Sequence, residues 1–208
     1  MDAILEAFNE RVAEIDLYFK MLTALEEPQA QLYFPNRKRN KYQQPHKDWL
    51  KTLKATAFLL IYNLVESSIR DGIGEIYENA KADKCTVEQL EESLRRIWIN
   101  QAFRDLKAVE SFQQRSTELV NQVLDRVIVD LNKDKIPISG NLDAKEIRRL
   151  CDRHGLTFSE SRIANQGWRL ALVKDKRNSL AHGSESFAEC GRSFTVDDFG
   201  SEKGTSTY

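Results

Sequence analysis

An antiparallel, all-α helical bundle is what these 208 residues predict. Two observations carry that expectation. Apolar side chains recur at three- and four-residue spacing through most of the chain, the signature of helices with one buried face. The breakers fall between those segments: Pro28, Pro35 and Pro45 punctuate one stretch and Pro137 another, so the long periodic runs stay free of proline. Only Ile136 to Gly140 reads as a place for a short extended segment.

In order, residues 2–26 form a first amphipathic helix through Ile4, Leu5, Phe8, Val12, Ile15, Phe19 and Leu22. Pro28 and Pro35 then end regular structure, and Arg37-Lys38-Arg39 with Lys41 is the densest cationic run in the chain. That run is read either as a solvated loop or as a loop that contacts phosphates. A second long helix begins after Pro45 with Asp48 as its cap and runs to about Asn79. Trp49, Leu53, Leu60, Ile61 and Leu64 make it a core element. Asn63, Glu66 and Arg70 share one side of it. Glu66 either pairs with Arg70 or orients Arg177 further along, and Gly72 and Gly74 mark a weaker turn.

Thr86-Val87-Glu88-Gln89 is a capping box that opens a third helix through about Phe103, and a fourth is expected from Glu110 to Leu131. Asp143 caps a short helix ending at His154-Gly155. Ser159 to Gly183 is the last long helix, and Thr195 to Asp198 starts at most a brief one. The domain expectation is one unit over residues 1–198, with a helix and basic loop in 1–44 and the bundle core in 45–183. A flexible tail would occupy 199–208.

Composition narrows the function. Charge is abundant but balanced at −1, so no global pull toward nucleic acid or membrane exists and any RNA contact must be local. The acidic start Asp2-Ala3-Ile4-Leu5-Glu6 is unlike a secretion signal, and the apolar run around Ala57–Val65 is broken by Tyr62 and Asn63. A soluble cytoplasmic protein without a membrane partner is expected. Cys85, Cys151 and Cys190 have no paired spacing, and His46, His154 and His182 are scattered, so neither a disulfide framework, a metal site nor a cofactor is anticipated.

The chemistry concentrates at Arg177-Asn178-Ser179-Leu180-Ala181-His182-Gly183. Gly183 is placed as the left-handed residue that ends a helix, which puts His182 in its last turn. Trp168, Ala171, Leu172, Asp175, Ser179 and His182 line one side, and Ile163, Leu170, Val173, Arg177, Leu180 and Ala181 the other. Residues five apart on a helix point roughly 140° away from each other. Arg177 and His182 therefore converge on one ligand only if the final turn is distorted or a second copy packs against this helix.

The run Lys174-Asp175-Lys176-Arg177-Asn178-Ser179-Leu180-Ala181-His182-Gly183 resembles the signature of the HEPN superfamily, an Arg and a polar residue followed after a few positions by a His. Tyr62-Asn63-Leu64-Val65-Glu66, Gly140-Asn141-Leu142-Asp143, Ser186-Phe187 and Gly191-Arg192 are similar to one prokaryotic branch of it, over about residues 45–198. The resemblance implies a HEPN-type bundle with additional helices and a homodimer. It also implies RNA cleavage without metal at a shared cleft, in toxin–antitoxin or anti-phage systems. Arg177, Asn178 and His182 carry over as catalytic residues. Arg177 would grip phosphate oxygens, and His182 would move a proton at the negative end of the helix. Asn178 and Asp175 would support the ring, while Lys174, Lys176, Arg37, Lys38 and Arg39 would bind flanking phosphates. The other reading is a non-catalytic HEPN module that neutralises or scaffolds a partner HEPN protein. Some HEPN toxins carry a Tyr two residues after the His; Ser184 stands there, which removes that route for control by an antitoxin.

Overall fold

The computed structural model describes residues 2–104, 109–138, 140–157 and 167–200. The elements in order are α1 (Asp2–Glu26), β1 (Leu32–Tyr33), β2 (Tyr42–Gln43), α2 (Lys47–Ala82), α3 (Glu92–Phe103), α4 (Val109–Leu124), α5 (Ala144–Arg153), α6 (Trp168–Ala181), α7 (Phe187–Cys190) and α8 (Asp197–Gly200). The fold is all-α, with one two-stranded ribbon. Its residues divide into two compact units, one of 2–65 with 172 onward, the other of 66–171.

In the first unit α1 lays Leu22, fully buried, against the core and leaves Leu17 in solvent, as an amphipathic stripe requires. Tyr18 fixes it by donating its hydroxyl hydrogen to the Leu53 carbonyl at 2.5 Å, and Glu26 pairs with Lys54 at 3.1 Å. The core is aromatic: Phe58 meets Phe194 and Phe199 edge-on, each at 4.8 Å between ring centres, and Phe199 reaches Phe19 at 5.4 Å. Phe199, expected in a flexible tail, thus lies in a helical turn whose entry is held by Asp198 accepting from the Thr195 N–H and hydroxyl. Residues 201–208 of that expected tail lie outside the described residues. Ser186 and Glu189 form a capping box at α7. Just beyond it, Gly191 presses on the backbone of α2, where an added Cβ would sit 1.8 Å from the Lys51 carbonyl oxygen. Only glycine allows that approach.

The hairpin corrects an expectation. Leu32 pairs with Gln43 and Tyr33 with Tyr42 in antiparallel register, and Phe34 donates its N–H to the Lys41 carbonyl at 2.7 Å. Two residues per strand are too few to show alternation in a sequence, and Pro35 sits in the loop rather than ending structure.

In the second unit α2 continues through Gly72 and Gly74 as helix; Gly74 lets the Lys133 side chain close in, 3.2 Å from where a Cβ would stand. The Thr86–Gln89 capping box forms, yet it caps a single 3-10 turn, and α3 starts at Glu92. Helix α4 ends at Leu124 rather than Leu131 because Arg126 adopts φ +52°, in the left-handed region. The following residues become extended instead: Ile128 bridges Thr86, and the Val129 N–H donates to the Cys85 carbonyl. Asp143 caps α5 by accepting from the Glu146 N–H at 3.0 Å, worth about 1 kcal/mol. The expected start of the last long helix, residues 159–166, lies outside the described residues. Among the described residues no helix is long and apolar enough to cross a membrane, and no three His, Cys, Asp or Glu side chains gather as a metal site. The cysteines are free, with burial pushing the Cys151 and Cys190 thiols up.

Candidate active site at the end of helix α6

Helix α6 buries Val173 and Leu180 and ends in a Schellman motif. The Gly183 N–H donates to the Leu180 carbonyl at 3.3 Å and the Ser184 N–H to the Ser179 carbonyl at 3.0 Å, with Gly183 at φ +69°. The His182 N–H still makes the regular helical bond to the Asn178 carbonyl, at 2.9 Å. Of the two options left open by spacing, the last turn is therefore undistorted as far as His182. Its imidazole stands exposed at the helix end.

Arg177 is half-buried. Its guanidinium lies over the ring of Tyr62, 4.7 Å from the ring centre, and donates to the Asn178 side-chain oxygen at 3.0 Å. Tyr62 is almost completely buried, so the ring is a fixed shelf for the charge. Nothing in sequence spacing points to this contact, because the partners are more than a hundred residues apart; the only signal is that both belong to the stretches carrying the family resemblance. Asn178, expected to steady the imidazole, spends its side-chain oxygen on Arg177.

Several of the surrounding charges are already engaged. Lys176 is not free to meet a phosphate: its Nζ is 2.9 Å from both carboxylate oxygens of Glu185 and faces the Phe194 ring at 5.6 Å. That bridge spans the turn after α6 and holds the segment carrying His182. Lys174 lies 3.5 Å from Asp175, whose carboxylate is exposed. Glu66 pairs with Arg70 at 3.3 Å, the contact that one helical turn provides. Arg37, Lys38 and Arg39 are exposed in the hairpin loop, where Arg37 sits over the Phe34 ring at 4.4 Å.

Sequence reasoning also missed a cavity of about 320 Å³ in the second unit, lined by Arg104, Lys135, Arg153, Tyr77 and His154 among others. Its floor is a buried pair: the Tyr77 hydroxyl and His154 Nε2 are 2.9 Å apart, and His154 Nδ1 is 2.6 Å from the Leu150 carbonyl oxygen.

The all-α chain thus carries an Arg-Asn pair and an exposed His at a glycine-capped helix end, the features that resemble the HEPN class. Residues 1–204 match the family described as HEPN_MAE_28990-like HEPN, and the chain belongs to it. No curated protein and no solved structure matches it.

Proposed function

We propose that the protein is a metal-independent endoribonuclease of toxin–antitoxin or anti-phage defence type, with Arg177, Asn178 and His182 as its catalytic residues. The observation that carries this reading is the pairing of a guanidinium held in place by Tyr62 and Asn178 with an exposed imidazole at the same helix end. RNA brings its own nucleophile. The 2′-hydroxyl oxygen attacks the adjacent phosphorus, its proton passes to a base, the bond from phosphorus to the 5′-oxygen breaks, and that oxygen takes a proton from an acid. The products are a 2′,3′-cyclic phosphate and a free 5′-hydroxyl. An imidazole serves as acid or base near neutral pH, and a guanidinium neutralises the charge growing on the phosphoryl oxygens.

One chain supplies one imidazole, and the regular bond to Asn178 keeps His182 roughly 140° around the helix from Arg177. Both facts support a homodimer in which two α6 ends share one cleft, one His182 accepting the proton and the other donating it. Trp168, 56% exposed on the His182 side of the helix, adds apolar surface that such a contact could cover. Lys174, Arg37, Lys38 and Arg39 would hold flanking phosphates, and Asp175 would sit near the ring.

The test is cleavage of a labelled RNA by the purified chain, with end-group analysis for the cyclic phosphate. Arg177→Ala and His182→Ala are each expected to abolish cleavage. Cleavage that survives both substitutions would overturn the assignment. A second reading, a non-catalytic module for a partner HEPN protein, is favoured by one observation: Tyr62 and Asn178 would engage Arg177 equally well in a purely structural role. It predicts no cleavage by the chain alone and tight binding to the partner.

A further inference from the structure

The basic hairpin holds more than charge. From Pro28 to Lys47 the chain has five cations, Arg37, Lys38, Arg39, Lys41 and Lys47, and no carboxylate. In a chain of net charge −1 that is a local reversal of balance. The loop cations are exposed, and none of Lys38, Arg39 and Lys41 is tied into an ion pair among the described residues. Beside them the ribbon shows two aromatic rings to solvent. Tyr33 and Tyr42 face each other across the strands at 4.9 Å between ring centres, and are 53% and 64% exposed. A two-strand ribbon with both tyrosines wet derives little stability from them, since aromatic area is worth most when removed from water.

We propose that this hairpin is a binding site for single-stranded RNA, with bases stacking on Tyr33 and Tyr42 and phosphates contacted by Arg37, Lys38, Arg39 and Lys41. The inference rests on the ribonuclease reading for its choice of RNA and adds the substrate class: unpaired strands rather than duplex. Ring faces recognise bases only where those bases are unstacked and free to splay out, and the cations beside them follow the backbone. An anionic membrane is the other surface that attracts exposed tyrosines among cations. It is disfavoured here because the loop tip, Pro35-Asn36-Arg37-Lys38-Arg39-Asn40, offers no large aliphatic side chain to enter hydrocarbon.

The experiment uses the full chain carrying His182→Ala, so that binding is read without cleavage. Anisotropy is followed with a labelled twelve-nucleotide single strand, with the same sequence as a duplex, and in parallel by co-sedimentation with phosphatidylserine vesicles. The single strand is expected to bind at least tenfold more tightly than the duplex. Tyr33→Val with Tyr42→Val, which keeps strand-forming side chains but removes the rings, is expected to cost roughly tenfold or more in affinity. Tyr33→Phe with Tyr42→Phe keeps the ring faces and is expected to retain binding, and an unchanged melting temperature excludes misfolding. Arg37→Gln with Lys38→Gln and Arg39→Gln is expected to flatten the salt dependence by about two in slope. Equal affinity for strand and duplex, binding indifferent to the valine pair, or capture by vesicles in preference to RNA would each overturn the proposal. A chain that binds single strands through the hairpin but, with His182 intact, cuts nothing keeps this inference and sinks the nuclease; one that cuts with KM unchanged by the valine pair does the reverse.

Discussion

Two helix ends in this molecule are built alike and finish differently. Helices α5 and α6 each stop with a histidine followed by a glycine at φ +69°, and each closes with the same pair of backbone bonds: Gly155 to Asp152 and Leu156 to Cys151 in one, Gly183 to Leu180 and Ser184 to Ser179 in the other. His154, 4% exposed, is sealed in. Because the Leu150 carbonyl only accepts, Nδ1 must donate to it, which leaves Nε2 to accept from the Tyr77 hydroxyl. Burial lowers the affinity of His154 for a second proton and pushes the Tyr77 hydroxyl to about 12, so both stay neutral. His182 has the same backbone setting and an open ring. The local motif chooses where a histidine stands, and the neighbours decide whether it is structure or chemistry.

Exchanging the two roles by mutation is the most direct way to break this contrast. His182→Ala is expected to reduce RNA cleavage at least a hundredfold, the usual loss when a general acid or base is removed, while leaving the melting temperature within about a degree. His154→Ala should do the opposite. It empties a packed site and strands the Tyr77 hydroxyl, while the Leu150 carbonyl keeps the backbone N–H of residue 154, at a cost of about 3 kcal/mol in urea unfolding, with unchanged turnover per folded molecule. If His154→Ala instead abolished cleavage without loss of stability, the assignment of roles would be inverted.

Acid should separate them next. His154 has a folded-state pKa below its ordinary value of 6.5, so the unfolded chain takes up its proton first. Its contribution to stability is complete above about pH 6.5 and is lost as pH falls below it, with a slope of at most about 1.4 kcal/mol per pH unit from this one group. Urea midpoints at pH 7.5, 6.5 and 5.5 check this. The fall should be shallower in His154→Gln, and a parallel fall in both chains would remove His154 as its source.

How much of this was written in the chain follows from the range of each interaction. Asp143 as a cap, the Thr86–Gln89 box and Gly183 as a helix terminator are contacts within a few residues, and each forms. The catalytic assignment could be framed for the same reason, since Arg177, Asn178, His182 and Gly183 fall within two turns. Long-range facts were illegible. Tyr62 under Arg177, Lys176 held by Glu185, and Tyr77 over His154 depend on how helices pack. One local error is instructive: Val127 and Ile128 continue the helical spacing of α4, yet Arg126 turns left-handed first and Ile128 joins a β-bridge. Periodicity marks which side chains can share a face, and the backbone decides whether they do.

The smallest effect sharpens the comparison furthest. Alanine at either terminating glycine must hold a left-handed backbone, which costs about 1–2 kcal/mol. The surroundings then differ: an added Cβ meets nothing within 4 Å at Gly183 but stands 2.6 Å from the Ser93 hydroxyl at Gly155. Gly155→Ala is therefore expected to destabilise by more than Gly183→Ala, by the cost of pushing Ser93 off its rotamer, roughly 1 kcal/mol. Making Gly155→Ala in a Ser93→Ala background removes the hydroxyl and should bring the two costs together, a coupling that a double-mutant cycle in urea reads directly. In the homodimer proposed above Gly183 would no longer face open space. A Gly183→Ala penalty that grows with protein concentration would then report a second copy against this helix end, whereas a penalty independent of concentration would leave the α6 terminus exposed and argue against the shared cleft.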